Sequence, residues 1–134
     1  MDPQKTILII DDEADFREIF SIKLAAAGYH IETASDGEEG IKKVRELRPD
    51  LVLLDVKMPG IGGEEVVSRL RGDPATSFTK IIFTTNFGDP NDVGTSEALA
   101  KKFGADGFIQ KTENIDTLAA LVDSYIKRKP SGED

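Results

Sequence analysis

The sequence predicts a doubly wound α/β domain built on a five-stranded parallel sheet, and three observations predict it. Short apolar runs alternate five times with stretches of helical periodicity, with no internal repeat and no linker between them. Two of the runs, 6–10 and 51–54, are almost wholly apolar, as strands buried on both faces are. Each of these two ends in acid: Asp11, Asp12 and Glu13 after the first, Asp55 after the second. In open parallel sheets, ligands bind beyond the carboxyl ends of the strands.

Taken in order, residues 5–10 form the first expected strand. Phe16, Ile19, Phe20 and Leu24 then recur at helical spacing, and Gly28 follows as the stop. The acids at 11–13 and 15 stand near the start of this helix, where its dipole favours them. Residues 29–34 alternate loosely and read as an edge-like second strand. Ser35 to Glu38 and Asp36 to Glu39 both match a capping box, so a helix starts there. Its inner stripe is Ile41, Val44 and Leu47, and Pro49 ends it. The third strand is 51–54. Gly62 and Gly63 precede a helix with Glu64 and Glu65 at its start, Val66, Val67 and Leu70 inside, and Arg69 and Arg71 in its last turn. That charge order suits a helix dipole.

Residues 80–85 form the fourth strand. The stretch 86–94 holds two glycines, a proline, two asparagines and two aspartates and reads as a loop. Thr95 or Ser96 caps a short helix carrying Ala98, Leu99 and Phe103, closed by Gly104. Residues 107–110 make a short fifth strand leading to Lys111. Asn114 caps the last helix, whose inner face is expected to be Ile115, Leu118, Leu121, Val122, Tyr125 and Ile126. Lys127 to Lys129 close it, as charge compensation at a helix end rather than a nucleic-acid patch. Five such units suit the flavodoxin-like order 2-1-3-4-5, with strands one and three adjacent at the switch point. A single domain over 1–134 is expected, with a core at about 5–128 and a short tail, 129–134.

Composition narrows the function. The chain is 39% hydrophobic and 31% charged, as globular proteins are. Its 25 acidic and 17 basic residues give a net charge of −8, which disfavours phosphate backbones, so no direct nucleic-acid binding is expected. There is no cysteine, so disulfides and thiolate metal sites are excluded. No signal peptide and no apolar run of membrane-spanning length is present. These features predict a cytoplasmic protein without a membrane partner.

Asp11, Asp12, Asp55, Thr85 and Lys111 all fall at expected strand carboxyl ends, so the fold gathers them on one edge of the sheet. Three carboxylates in one crevice repel one another unless one is protonated or a divalent cation binds. Oxygen ligands without His or Cys select a hard ion, and Mg²⁺ suits carboxylates working beside phosphate and water. The expectation is Mg²⁺ on Asp12 and Asp55 directly, with Asp11 acting directly or through water and the backbone carbonyl of Lys57 as a further oxygen. With the charge so neutralised, Asp55 serves as a nucleophile towards a phosphoryl group. Lys111 and the Thr85 hydroxyl would then hold phosphoryl oxygens.

These residues carry a resemblance. Asp11–Asp12, Asp55 followed by Met58, Pro59 and Gly60, Thr85, and the stretch from Gly104 to Lys111 together resemble the receiver domain of bacterial two-component response regulators, over about residues 5–128. The resemblance implies phosphorylation of Asp55 by a histidine kinase or a histidine phosphotransfer protein. It also implies that Thr85 is the switch hydroxyl, in preference to Thr84, and Phe108 the switch aromatic. The surface of the fourth helix, fifth strand and fifth helix would then change its preference for a downstream protein. No output domain follows in this sequence, so signalling within this chain is expected to act through protein contacts unless the chain is one piece of a longer product. The sequence departs from the family pattern at Asn86, where a smaller residue is usual, at Thr112, where proline usually follows the lysine, and in the long loop 86–94.

Two other functions compete. A Mg²⁺ phosphohydrolase with an aspartyl nucleophile usually places a second acid two residues on, where this chain has Lys57, and no lid segment is evident. Against a receiver-shaped scaffold acting without phosphorylation stand the complete acid set, Thr85 and Lys111, whereas Asn86 and Thr112 favour it. Glu13 is expected to be a helix-start acid, Lys57 an exposed side chain, and His30 surface decoration without a partner. Gly62 and Gly63 are expected to serve turns.

Overall fold

A computed structural model describes residues 4–85, 97–111 and 114–128. The strands are β1 (Thr6–Ile10), β2 (His30–Ala34), β3 (Leu51–Asp55), β4 (Ile81–Thr85) and β5 (Gly107–Gln110). The helices are α1 (Ala14–Ala26), α2 (Gly37–Leu47), α3 (Gly63–Gly72), α4 (Glu97–Lys102) and α5 (Ile115–Lys127). All strand pairs are parallel, in the order β2-β1-β3-β4-β5, so β2 is an edge as its looser alternation predicts. The expected caps Thr95 and Ser96, Asn86, the loop 86–94, Thr112 and the tail 129–134 lie outside the described residues, as do the side chains of Ala98 and Leu99.

Side-chain alternation in the strands divides the interior in two. Leu8, Ile10, Val52, Leu54, Ile81 and Phe83 pack on one face with α2, α3 and α4 residues such as Ile41, Val66, Leu70 and Ala100. Ile7, Ile9, Leu51, Leu53, Ile82 and Ile109 pack on the other face against Phe20 and Leu24 of α1 and Leu118 and Val122 of α5. Burial on both faces is why β1, β3 and β4 carry continuous apolar runs.

The local signals act where they stand. Asp36 caps α2 by accepting from Glu39 N at 2.8 Å, and Glu39 Oε1 reaches back to Ser35 N at 2.6 Å. Asn114 caps α5 by accepting from Thr117 N at 2.8 Å. Gly28 follows α1 at φ +104°, which a side chain would oppose. Lys80, nearly buried just ahead of β4, supplies the carboxyl end of α5 with a cation: its Nζ donates to Tyr125 O at 2.8 Å and to Arg128 O. The first, second and fourth strands each begin one residue later than expected, at Thr6, His30 and Ile81.

Three residues expected inside are not. Ile19 is 58% exposed, Leu47 40% and Leu121 36%. Each lies on its helix's apolar stripe by spacing but roughly a quarter-turn from the centre of the buried face. In α1 the sheet contacts the Phe16, Phe20 and Leu24 line, which leaves Ile19 on the flank.

Candidate functional site

The carboxyl ends of β1 and β3 lie side by side, with Ile10 opposite Leu54 in the register, so the residues that follow meet at one crevice. Asp11 is fixed by its backbone: its N–H donates to Ala34 O at 3.0 Å, and its Oδ1 accepts from Glu13 N at 2.8 Å. Arg17 Nη1 binds the Asp11 carbonyl at 2.7 Å. Asp55 closes β3, with its Oδ1 accepting from Lys57 N at 3.3 Å. Asp11 and Asp55 are buried and Asp12 is exposed. Ligand oxygens of Asp11, Asp12 and Asp55 all lie within 4.8 Å of one another.

Lys111 enters from the end of β5, where its N–H donates to Thr85 O at 2.8 Å. Its Nζ lies 2.7 Å from Asp11 Oδ2, 2.8 Å from Glu13 Oε1 and 3.4 Å from Asp55 Oδ2. The Phe16 ring centroid is 4.8 Å from the same nitrogen. Burial pushes the Asp55 carboxyl up to about 7, with the Asp11 charge adding to the rise and Lys111 opposing it. Burial also raises Asp11, against the Lys111 ammonium beside it. Burial pulls the Lys111 ammonium down, but its contacts with the Asp11 and Glu13 carboxylates outweigh that and leave it above the ordinary lysine value.

Among the described residues the four carboxylates of Asp11, Asp12, Glu13 and Asp55 outnumber the Lys111 ammonium and the Arg17 guanidinium on the Asp11 carbonyl, so the cluster remains short of positive charge. Two unit charges 4.8 Å apart cost about 3 kcal/mol at an effective dielectric near 20. All donors of the set are oxygens, and one acid is open to solvent. Asp11, Asp12 and Asp55 therefore suit a hard divalent ion, and they are the one such acidic group found among the described residues.

The other expected site residues fall as follows. Thr85 is buried at the end of β4 with its hydroxyl 3.5 Å from Ile109 O, the outer limit of a hydrogen bond. Thr84 pairs with Asp55 in the register, and its buried hydroxyl has no hydrogen-bond partner among the described residues. Phe108 is half-buried against the core on the α3 side of the sheet. The Lys57 side chain is exposed. Gly63, expected as a turn residue, also sets a spacing: a Cβ there would come within 2.7 Å of the Asp55 carbonyl oxygen.

One expectation, Glu13 at the helix start, holds with an addition, and one, His30, needs correction. Glu13 is the N-cap residue of α1, yet its side chain makes no cap hydrogen bond and turns to Lys111 instead. A long side chain at the cap reaches past the helix end to Lys111, which the sequence places at the same edge of the sheet without pairing it to Glu13. His30 is exposed as expected but has a partner, Glu32 Oε2 at 2.6 Å, because residues two apart in a strand share a face.

Residues 7–123 match the response regulator receiver domain family. The chain belongs to that family. Receiver domains of two-component response regulators are signalling switches rather than classical enzymes, and the homologues are response regulators. Over 125 residues this receiver domain is 37% identical to the DNA-binding response regulator MtrA of Mycobacterium tuberculosis, covering 93% of the chain and 52% of MtrA. It is 33% identical over 129 residues to the phosphate regulon transcriptional regulatory protein PhoB of Pseudomonas aeruginosa, covering 96% of the chain and 55% of PhoB. The chain spans about half the length of the curated relatives it matches. Among solved structures it superimposes on the chemotaxis protein CheY4 of Vibrio cholerae with a TM-score of 0.80 and 32% identity, covering 92% of this chain and 99% of that one. The five parallel strands in the order 2-1-3-4-5 are those of such receiver structures.

These likenesses overturn the expectation that nucleic acid lies outside the function and that output passes only to a downstream protein. MtrA is a DNA-binding protein, and the receiver accounts for only half of it. The charge argument fails for a physical reason: a net charge of −8 governs the surface that carries it and sets no limit on contacts made by another part of a longer protein. Among the described residues no helix is long and apolar enough to cross a membrane.

Proposed function

We propose that Asp55 accepts a phosphoryl group from a phosphohistidine, on a histidine kinase or a histidine phosphotransfer protein, and that the domain itself assists the transfer. The observation that carries this reading is the convergence of Asp11, Asp12 and Asp55 within 4.8 Å, with the Lys111 ammonium 3.4 Å from the Asp55 carboxylate. A carboxylate oxygen of Asp55 attacks phosphorus in line, the phosphorus–nitrogen bond breaks, and the imidazole leaves with the electron pair. Lys111 holds one phosphoryl oxygen as a fixed charge, already aimed by Asp11 and screened by Phe16. Asp11, Asp12, Asp55 and the Lys57 carbonyl would hold Mg²⁺, which supplies the charge neutralisation that phosphoryl transfer requires. The same groups serve hydrolysis of the aspartyl phosphate, so the domain catalyses only its own loading and unloading.

Thr85 is the switch hydroxyl in this reading. Its contact to Ile109 O is long and weak, so little is lost when the hydroxyl turns to a phosphoryl oxygen. Phe108, half-buried and opposite Phe83 in the register two residues before Thr85, follows. By likeness to MtrA and PhoB we assign the output to transcription, with phosphorylation altering DNA binding by the regulator to which such a receiver belongs. The cytoplasm, where ATP charges phosphohistidine donors, is the compartment this reading requires.

The test is Mg²⁺-dependent phosphorylation by acetyl phosphate, followed by intact mass. One phosphoryl group per chain is expected for wild type and none for Asp55→Asn. Undiminished uptake by the variant would remove Asp55 from its role.

A further inference from the structure

We propose that Glu13 is a positioning residue for Lys111: it draws the ammonium away from Asp55 and so restrains phosphoryl acceptance. This rests on the reading of Asp55 as the phosphoacceptor. A lysine ammonium has three donor hydrogens, and Lys111 faces three carboxylates, at 2.7 Å for Asp11, 2.8 Å for Glu13 and 3.4 Å for Asp55. The acceptor acid has the longest of the three contacts. The Phe16 ring, 4.8 Å away, occupies a further side of the nitrogen. Of the three carboxylate contacts only that to Glu13 has hydrogen-bond geometry, so the ammonium is oriented by Glu13 rather than by the acceptor acid and must turn from a partner to meet an incoming phosphoryl oxygen.

The partner it releases is Glu13. The Asp11 and Asp55 side chains are buried, whereas that of Glu13 is 51% exposed, so water replaces its lost contact at little cost. The Glu13 side chain makes no cap hydrogen bond at the start of α1 that its release would break. The height of the barrier to loading is thus set in part by how firmly Glu13 holds Lys111.

The experiment compares wild type, Glu13→Gln, Glu13→Asp and Asp55→Asn with acetyl phosphate and Mg²⁺. In the step followed, an Asp55 oxygen bonds to phosphorus and the phosphorus–oxygen bond to acetate breaks, acetate leaving with the pair. Glu13→Gln keeps the length and removes the charge; Glu13→Asp keeps the charge and removes the reach. Both variants should load about twofold to fivefold faster than wild type, the range of an ion pair with one exposed partner. In both, the Lys111 side-chain ¹⁵N–¹H resonance of the metal-free protein should move, a readout independent of phosphorylation. If Glu13→Asp loads at the wild-type rate while Glu13→Gln is faster, the effect is long-range repulsion of the donor and the proposal falls. Equal rates in all three, with Asp55→Asn inert, would overturn the Glu13 reading and leave the phosphoacceptor standing. No uptake by wild type would sink both.

Discussion

Single side chains show how burial and neighbouring charge divide the work in this fold. Asp55 is held near 7 chiefly by burial, the ordinary effect of removing a carboxylate from water, and the Asp11 charge adds to it. Tyr29 shows the same physics on a phenol. Burial, the 2.5 Å hydrogen bond from its hydroxyl to Asp123 Oδ1 and the charge of that acid push it from 10.0 up to about 12. The protonated form is favoured in the folded state, so this contribution to stability is complete below pH 10 and is lost as pH rises towards 12. In a Tyr125→Phe protein, where Tyr29 is the sole tyrosine, tyrosinate absorbance should rise with a midpoint near 12. A midpoint near 10 would show that the bond to Asp123 is not formed.

At the scale of elements, the start of α3 is fixed by how closely it approaches β3. Gly63 N donates to Val56 O at 2.9 Å, and a Cβ at Gly63 would meet the Asp55 carbonyl oxygen at 2.7 Å and Val56 Cα at 2.9 Å. Both atoms are backbone and have no rotamer by which to yield. Gly63→Ala should therefore cost about 1–3 kcal/mol in urea unfolding, as overpacking does. Gly72, at the other end of the same helix, has open space around its virtual Cβ, so Gly72→Ala should cost little. Equal costs for the two would mean that the approach of α3 to the Asp55 backbone does not set the penalty, since helix propensity by itself favours alanine over glycine.

For the whole molecule, the cluster at the crevice subtracts from stability and a bound cation restores it. Without Mg²⁺, Asp55→Asn should be more stable than wild type by on the order of 1 kcal/mol, because one of several mutually repelling acids is removed. Lys111 keeps Asp11 and Glu13 in that variant, so no buried cation is orphaned. Saturating Mg²⁺ should stabilise wild type, by about 2.7 kcal/mol at a hundred times its Kd, and the variant less. Thermal unfolding with and without Mg²⁺ measures both, and equal responses of the two proteins would place the ion elsewhere.

Much of this was legible in the sequence, because strand and helix periods and caps are local: the alternation, the caps Asp36 and Asn114 and the order β2-β1-β3-β4-β5 can all be read along the chain. So can the acids and the lysine at the strand ends, since each follows its own apolar run. Tertiary structure alone decided which flank of a helix meets the sheet, and it left Ile19, Leu47 and Leu121 outside. It also decided that Glu13 serves Lys111 across 98 positions of sequence rather than capping α1. The physical reason is the same in both cases: periodicity fixes a residue's direction about its own element, whereas partners depend on distances between elements, which no local pattern encodes.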